Sequence, residues 1–247
     1  MGEIVPEGGI GKKSAAVVAP FAVVPETRFG FWFLGTQTWV KYVLSVAIND
    51  LTRLISDRQS VYPVILDVGC GQGHAFRFLK AHFSAERLIG VDVEEQGLRC
   101  AQAQVTHDNL VVEFLNNNAT SLDIPDASVD MLFCHQTLHH LVHQEQALAE
   151  FYRVLKPGGL LLIAESTRAY IHSWIIRLLF RHPMEVQRSA EEYLAMLKAQ
   201  GFTFGPENIS YPYLWWSRAD LGIGERLGFP PPQIRHETLL NVVARKR

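Results

Sequence analysis

Residues 64–76 read VILDVGCGQGHAF. Four-residue apolar runs bounded by turn residues read as short buried strands, and YPVILDVG fits that reading. Asp67 ends the run, and Gly69, Gly71 and Gly73 follow within six residues. A new segment, HAFRFLKAHF, then recurs at helical spacing, with Ala75, Phe76, Leu79 and Phe83 on one face. A buried strand entering a glycine turn and then a helix makes a ligand site at the carboxyl end of a sheet. Glycine is needed there because φ turns positive or because ligand atoms approach the backbone.

The same rhythm extends outward. RLIGVDV is a second strand and EEQGLRCAQAQV a second helix. LVVEFL is a third strand, SVDMLFCH a fourth, QEQALAEFYRVL a helix, and GGLLLIAES a fifth strand. Strands alternating with helices, several of them apolar on both faces, imply a parallel sheet covered on both sides. KPGG at 156–159 is expected to mark a helix end. Upstream, Val40, Val43, Leu44, Ala47, Leu51, Leu54 and Ile55 give one apolar face to a helix over 36–55. Downstream, TRAYIHSWIIRLLFRHP reads as one additional apolar helix. SAEEYLAMLKAQG reads as a helix with a capping box from Ser189 to Glu192. FTFGPENISYPYLWW and HETLLNVVARKR read as two last strands.

The chain has 247 residues, 48% of them hydrophobic, with a formal net charge of −2. That is ample for one large domain and gives no overall basic surface for nucleic acid. Its three cysteines, Cys70, Cys100 and Cys134, fit neither a disulfide framework nor a zinc ribbon. A cytoplasmic location is expected. No apolar stretch reaches the ~20 residues of a spanning helix. Expected boundaries are a flexible leader over 1–26 and one domain over 27–247. Within the domain, 27–60 is an N-terminal helical cap, 61–165 a cofactor-binding core, 166–188 a lid helix, and 189–247 a C-terminal helix with the last strands.

The glycine pattern departs from the dinucleotide fingerprint G-x-G-x-x-G, because position 74 is His where the last glycine would fall. Asp67 would also crowd a pyrophosphate, whereas it suits a ligand with a cationic amino-acid end. The stretch resembles motif I, D/E-x-G-x-G-x-G, of the class I S-adenosylmethionine-dependent methyltransferases. GVDVEEQGL resembles the second motif. NNNATSLDIPDASVDMLFCHQTLHHL and RVLKPGGLLLIAE resemble the segments around strands four and five of the small-molecule branch (methyltransferase type 11, ubiquinone-biosynthesis-like). The four motifs cover residues 64–165 in family order.

The resemblance implies a doubly wound, Rossmann-like seven-stranded α/β sheet with helices on both faces, plus cap elements at the N-terminus and after strand five. It implies S-adenosyl-L-methionine as cofactor. Asp67, Gly69, Cys70, Gly71 and Gly73 would form its amino-acid end of the site, and Asp92 and Val93 the ribose end. Asn118, where many relatives carry Asp, and Ala119 would flank the adenine. Cys134 and His135 would present backbone carbonyls to the methionine end.

Methyl transfer from a sulfonium is an in-line displacement whose leaving group departs neutral, so alignment and water exclusion are the main demands. A base is needed only when the nucleophile must lose a proton. His139 and His140 are the candidates, against the plainer reading that one of them braces the turn. The i,i+4 pairs His135/His139 and His139/His143 are too weak a signal for zinc, and no metal is expected. Trp39, His139, Trp174, Tyr211 and Trp215 are the expected acceptor contacts, from segments whose aromatic residues otherwise read as core.

The acceptor is expected to be a small molecule, apolar or aromatic, with loose docking on a membrane surface kept open. A nucleic-acid amino-methyltransferase would carry N/D-P-P-Y where CHQT stands. A nicotinamide-dependent oxidoreductase and a non-catalytic S-adenosylmethionine-binding protein are the rival classes.

Overall fold

A computed structural model describes residues 26–218, 221–230 and 236–247. The expected leader over 1–26 lies outside the described residues except for Glu26. Five parallel strands form the sheet's body: β1 (Val64–Val68), β2 (Arg87–Asp92), β3 (Glu113–Asn116), β4 (Val129–His135) and β5 (Leu155–Ser166). β6 (Phe202–Thr203), β7 (Ile209–Ser210) and the antiparallel β8 (Leu239–Lys246) complete it. The order is β3-β2-β1-β4-β5-β8-β6, with β7 also on β8. The strand order reverses between β1 and β4, and a ligand crevice opens outside their carboxyl ends. The doubly wound α/β architecture is the one expected.

The last part of the sheet differs in detail. Instead of one strand over FTFGPENISYPYLWW, two two-residue strands flank a 3-10 turn over Pro206–Asn208. Both lie on the β8 edge away from β5, so eight strands fill seven positions. KPGG follows the end of the helix at Val154, as expected, and is also the irregular opening of β5, where the register with β4 shifts between Val129 and Met131.

Helices are α1 (Arg28–Leu34), α2 (Gln37–Trp39), α3 (Ser45–Leu54), α4 (Phe76–Phe83), α5 (Glu95–His107) and α6 (Gln144–Val154). After β5 come α7 (Arg168–Ile171), α8 (Trp174–Leu179), α9 (Ala190–Ala199) and α10 (Ile223–Arg226). Alternation along the strands sorts the core. Leu66, Val68, Leu132, Leu161 and Ile163 meet Leu148 and Phe151 of α6 and Tyr193 and Leu197 of α9. Ile65, Met131, Phe133 and Leu162 meet Ile48 and Leu51 of α3 and Phe76, Leu79 and Phe83 of α4. Full burial of each large side chain contributes about 1.5–3 kcal/mol. Asp130 anchors the sheet: its carboxylate accepts from Val64 N–H at 2.9 Å and pairs with Lys156 Nζ at 2.8 Å, fixing the start of β1.

Two departures shape the site. The helix expected over 36–55 runs through α2 and α3 but widens to a π turn over Val40–Leu44. One inserted residue rotates the helix phase, and such bulges recur at functional sites. Here it lets Trp39 and Tyr42 face a cavity while Leu44, Ile48 and Leu51 stay in the core. The single lid helix is instead α7 and α8, broken at His172–Ser173. Ser173 takes an extended conformation ahead of Trp174, as a helix-starting serine does.

Candidate functional site

The cofactor-side cleft begins at the carboxyl ends of β1 and β2. Asp67, paired in register with Gly90 and Phe133, is buried. Burial pushes its carboxyl well above the usual range, and the neighbouring Asp92 adds to the shift. Gly69, Gly71 and Gly73 have φ of 75°, 50° and 79°. A Cβ on Gly69 would lie 2.2 Å from Thr137 Oγ1, so this glycine admits the loop after β4. A Cβ on Gly71 would meet nothing within 4 Å, so this glycine faces the open cleft. The turn hangs from β2: Gly69 N–H and Cys70 N–H donate to Val91 O at 2.8 and 3.1 Å. Gly71 N–H donates to Asp92 Oδ2 at 2.8 Å, and Glu94 N–H to Asp92 Oδ1 at 2.9 Å. Burial raises the Asp92 carboxyl, and the backbone donors partly offset it.

His135 closes the cleft at the end of β4. Its ring stacks on Phe133 at 5.9 Å and meets the edge of Trp39 at 5.5 Å. Burial, with His139 nearby, pushes it down to about 3, so it is neutral. Its Nε2 is buried with no protein partner, which is expensive unless a ligand supplies one.

Beyond Trp39 and Gln136, which line both spaces, lies a cavity of about 330 Å³. This volume is within the range of small-molecule sites. Phe29 and Phe33 of α1, Ile175 and Leu179 of α8, Phe180 and Trp216 wall it. Thr27 joins two of these walls: its hydroxyl accepts from Gly30 N–H at 2.9 Å and donates to Leu179 O at 2.7 Å. Gln136 sits between the two spaces with φ of 53°, a strained value for a non-glycine residue.

The chamber ends on three imidazoles, His139, His140 and His182. Ring centroids are 4.3 Å apart for His139–His140, 5.0 Å for His139–His182 and 4.7 Å for His140–His182. Glu165, fully buried at the end of β5, orders this corner. Its Oε1 accepts from Thr137 N–H and Leu138 N–H, each at 2.7 Å, and its Oε2 faces His139 Nδ1 at 2.6 Å. Two backbone N–H groups donate to it, as does the Cys134 thiol at 4.0 Å, so the arrangement suits a carboxylate, draws the ring proton to Nδ1 and leaves His139 Nε2 as the ring's free polar atom. Another cavity, of about 350 Å³, lies by Asp57, Thr203 and Arg245, away from the carboxyl ends of the strands.

Residues 66–163 match the family described as a methyltransferase domain. That stretch is two fifths of the chain, and over it the chain is similar to a methyltransferase domain. An S-adenosyl-L-methionine-dependent Diels–Alderase of Talaromyces variabilis is 41% identical over 109 residues, 42% of this chain and 36% of that protein. A ubiquinone/menaquinone biosynthesis C-methyltransferase of Hydrogenovibrio crunogenus is 31% identical over 108 residues, 42% of each chain. The chain therefore matches well under half the length of these curated relatives. The crystal structure of an S-adenosylmethionine-dependent methyltransferase from Aquifex aeolicus shares the fold, with a TM-score of 0.61 at 19% identity. That match covers 88% of this chain and 97% of the other. The similarity implies S-adenosylmethionine as cofactor, and the residues of the cleft fit it. The desolvated Asp67 suits an ammonium, Gly71 leaves space for ligand atoms, and His135 Nε2 lacks a partner.

The structure gathers Asp67, Gly69, Cys70, Gly71 and His135 around the cleft, with Asp92 just behind the turn. Gly73 instead packs against Ala101 of α5. Asn118 Oδ1, expected at the adenine, accepts from Thr120 N–H at 3.0 Å in a local turn. Ala119 and Cys134 place their side chains in the core. The His135 carbonyl, expected to face the cofactor, accepts from Thr137 Oγ1 at 3.1 Å, while the ring lines the cleft. Val93 O accepts from Asn116 Nδ2 at 3.0 Å.

On the acceptor side, Trp39, His139 and Trp215 line the chamber. Trp174 does not: the break at Ser173 sets the phase of α8 so that Ile175, Ile176 and Leu179 turn inward, leaving Trp174 65% exposed. Tyr211, just past β7, is also exposed. His143 is exposed at the start of α6, and Leu138–His140 is a 3-10 turn, so neither i,i+4 histidine pair forms on an α-helix. Sequence reasoning missed Glu165, His182, Gln136 and Glu26, the last of which lines both spaces. Glu165 had a signal: an acid ending a buried apolar strand. His182 had none.

Among the described residues, no helix is long and apolar enough to cross a membrane.

Proposed function

We propose that this chain transfers a methyl group from S-adenosylmethionine to a small apolar or aromatic acceptor seated in the chamber of about 330 Å³. One observation carries the reading: a cleft built around a desolvated acid and a glycine turn shares its Trp39–Gln136 wall with an apolar chamber ending in imidazoles. The cofactor supplies an electrophilic methyl on a sulfonium whose departure needs no acid. Asp67 holds the ammonium of the amino-acid end, and Asp92 accepts from the ribose hydroxyls. Trp39, Phe33 and Trp216 exclude water and orient the acceptor, which is where alignment produces rate. When the nucleophile is a hydroxyl, its proton passes to His139 Nε2, and Glu165 on Nδ1 steadies the imidazolium. His140 is the alternate acceptor of that proton.

The test is incubation with isotopically labelled S-adenosylmethionine and a panel of phenols and apolar alcohols, read by mass spectrometry. Label gained by an acceptor, in step with S-adenosylhomocysteine formed, supports the reading. The Talaromyces relative, a Diels–Alderase, motivates a second arm with conjugated polyenes. A cofactor-dependent isomerisation without label transfer would replace methyl transfer by cyclisation. Parallel titration with NAD checks the nicotinamide alternative, and saturable NAD binding would overturn the assignment of Asp67.

A further inference from the structure

We propose that His139, His140 and His182 form a binding site for one divalent transition-metal ion of the zinc type at the inner end of the acceptor chamber. The inference does not depend on methyl transfer. Each imidazole offers one nitrogen, and the three nitrogens lie within 4.8 Å of one another. Zn–N bonds of about 2.0–2.1 Å in tetrahedral geometry require each nitrogen to move inward by about 1 Å or less.

Three features outside the triad support it. The first is the carboxylate on the far nitrogen of one ligand: Glu165 Oε2 lies 2.6 Å from His139 Nδ1. That carboxylate–histidine pair fixes the tautomer with a bare Nε2, the form a metal binds. The second is charge. Glu165 is fully buried, and among the described residues its ion-pair partner is His139. A dication beyond that ring offsets a carboxylate otherwise held by neutral backbone donors. The third is preorganisation across a long sequence gap. Gln187 Nε2 donates to His139 O and Pro183 O, each at 2.8 Å, so one buried amide ties the His139 turn to the segment bearing His182.

Three protein ligands leave a coordination position, as catalytic zinc sites do. This position faces the chamber, so the ion would take an oxygen of the bound acceptor. Such an ion would act as a Lewis acid, lowering the pKa of a coordinated hydroxyl, whose proton would leave to solvent. In the metal-loaded protein this replaces His139 as the destination of the proton.

The experiment uses tag-free, chelator-dialysed protein titrated with Co²⁺ and then Zn²⁺, followed by the visible absorption of Co²⁺ and by metal analysis. One equivalent of Co²⁺ with an intense low-coordinate spectrum, displaced by Zn²⁺, is expected. His182→Ala should abolish that spectrum, Glu165→Gln should weaken affinity about 10- to 100-fold, and the exposed His143→Ala should change neither. S-adenosylhomocysteine affinity, measured on the same samples, reports the fold and the cofactor reading separately. If His182→Ala loses cofactor binding, His140→Ala takes its place. Absence of saturable Co²⁺ binding, or binding that survives loss of His182 or His140, overturns the proposal.

Discussion

Asp92→Asn separates bracing of the glycine turn from recognition of a ribose. The carboxylate accepts from Gly71 N–H at 2.8 Å through one oxygen and from Glu94 N–H at 2.9 Å through the other. An amide has one oxygen, so one of these N–H groups must face an NH₂. A hydrogen bond to a charged group contributes about 1.5–3 kcal/mol. Burial disfavours the charge on Asp92, and its removal offsets part of that loss. We expect a net destabilisation of roughly 1–2 kcal/mol, read from urea unfolding. The ribose diol loses a charged acceptor as well, which lowers S-adenosylhomocysteine affinity about 10- to 150-fold by calorimetry. A variant that is destabilised but binds the cofactor product as tightly as the parent would refute the ribose role and leave Asp92 as a brace.

The two cleft glycines should respond oppositely to alanine. Gly69→Ala drives a methyl into Thr137 at positive φ and should destabilise by about 2–4 kcal/mol, measured as a denaturant midpoint shift. Gly71→Ala has only the backbone penalty of about 1–2 kcal/mol, yet its methyl enters the ligand space, so cofactor affinity should fall more than stability does. Asp67 has a raised carboxyl pKa in the fold, so the free protein binds the proton more readily folded than unfolded. Its contribution to stability therefore falls as pH rises from the ordinary Asp range to the raised value. The ammonium of the cofactor needs the ionised form, so affinity should weaken as pH drops through that raised value. Flat calorimetric affinity from neutral to acidic pH would remove Asp67 from the site. Thr27→Val removes both the α1 cap and the bond to Leu179 O, and should speed amide exchange in α1 and α8 together, with a loss of about 1–2 kcal/mol.

The parallel core was legible because each of its strands is a short apolar run closed by a turn, and because Asp67 and the glycines are contiguous. The capping box at Ser189 was equally local, and both of its hydrogen bonds are present. What escaped was non-local or depended on phase. The π turn at Val40–Leu44 leaves the apolar residues at helical spacing and changes only which of them face the chamber. The lid split at Ser173, a helix-starting residue hidden in an apolar run, and this turned Trp174 outward. The turn in which Asn118 satisfies Thr120 N–H also went unread, because short polar side chains compete for backbone groups in ways a motif does not show. His182 approaches His139 only through the packing of α8 and the hold of Gln187, and no periodicity announces that meeting.

Glu165 belongs to β5, and its neighbour Ala164 stands in register opposite His135 of β4. The orientation of His139 is thus inherited from strand pairing rather than from the loop that carries the ring. A one-residue slip of β5 would send the carboxylate to the opposite face of the sheet and leave the imidazole unsupported. Conversely, α1, α8 and the segment after β7 can be exchanged wholesale while β4 and β5 keep their register. A chamber reshaped for a different acceptor would still find its histidine aimed the same way. For an engineer, the walls are the replaceable part and the two strands are the fixture to leave alone.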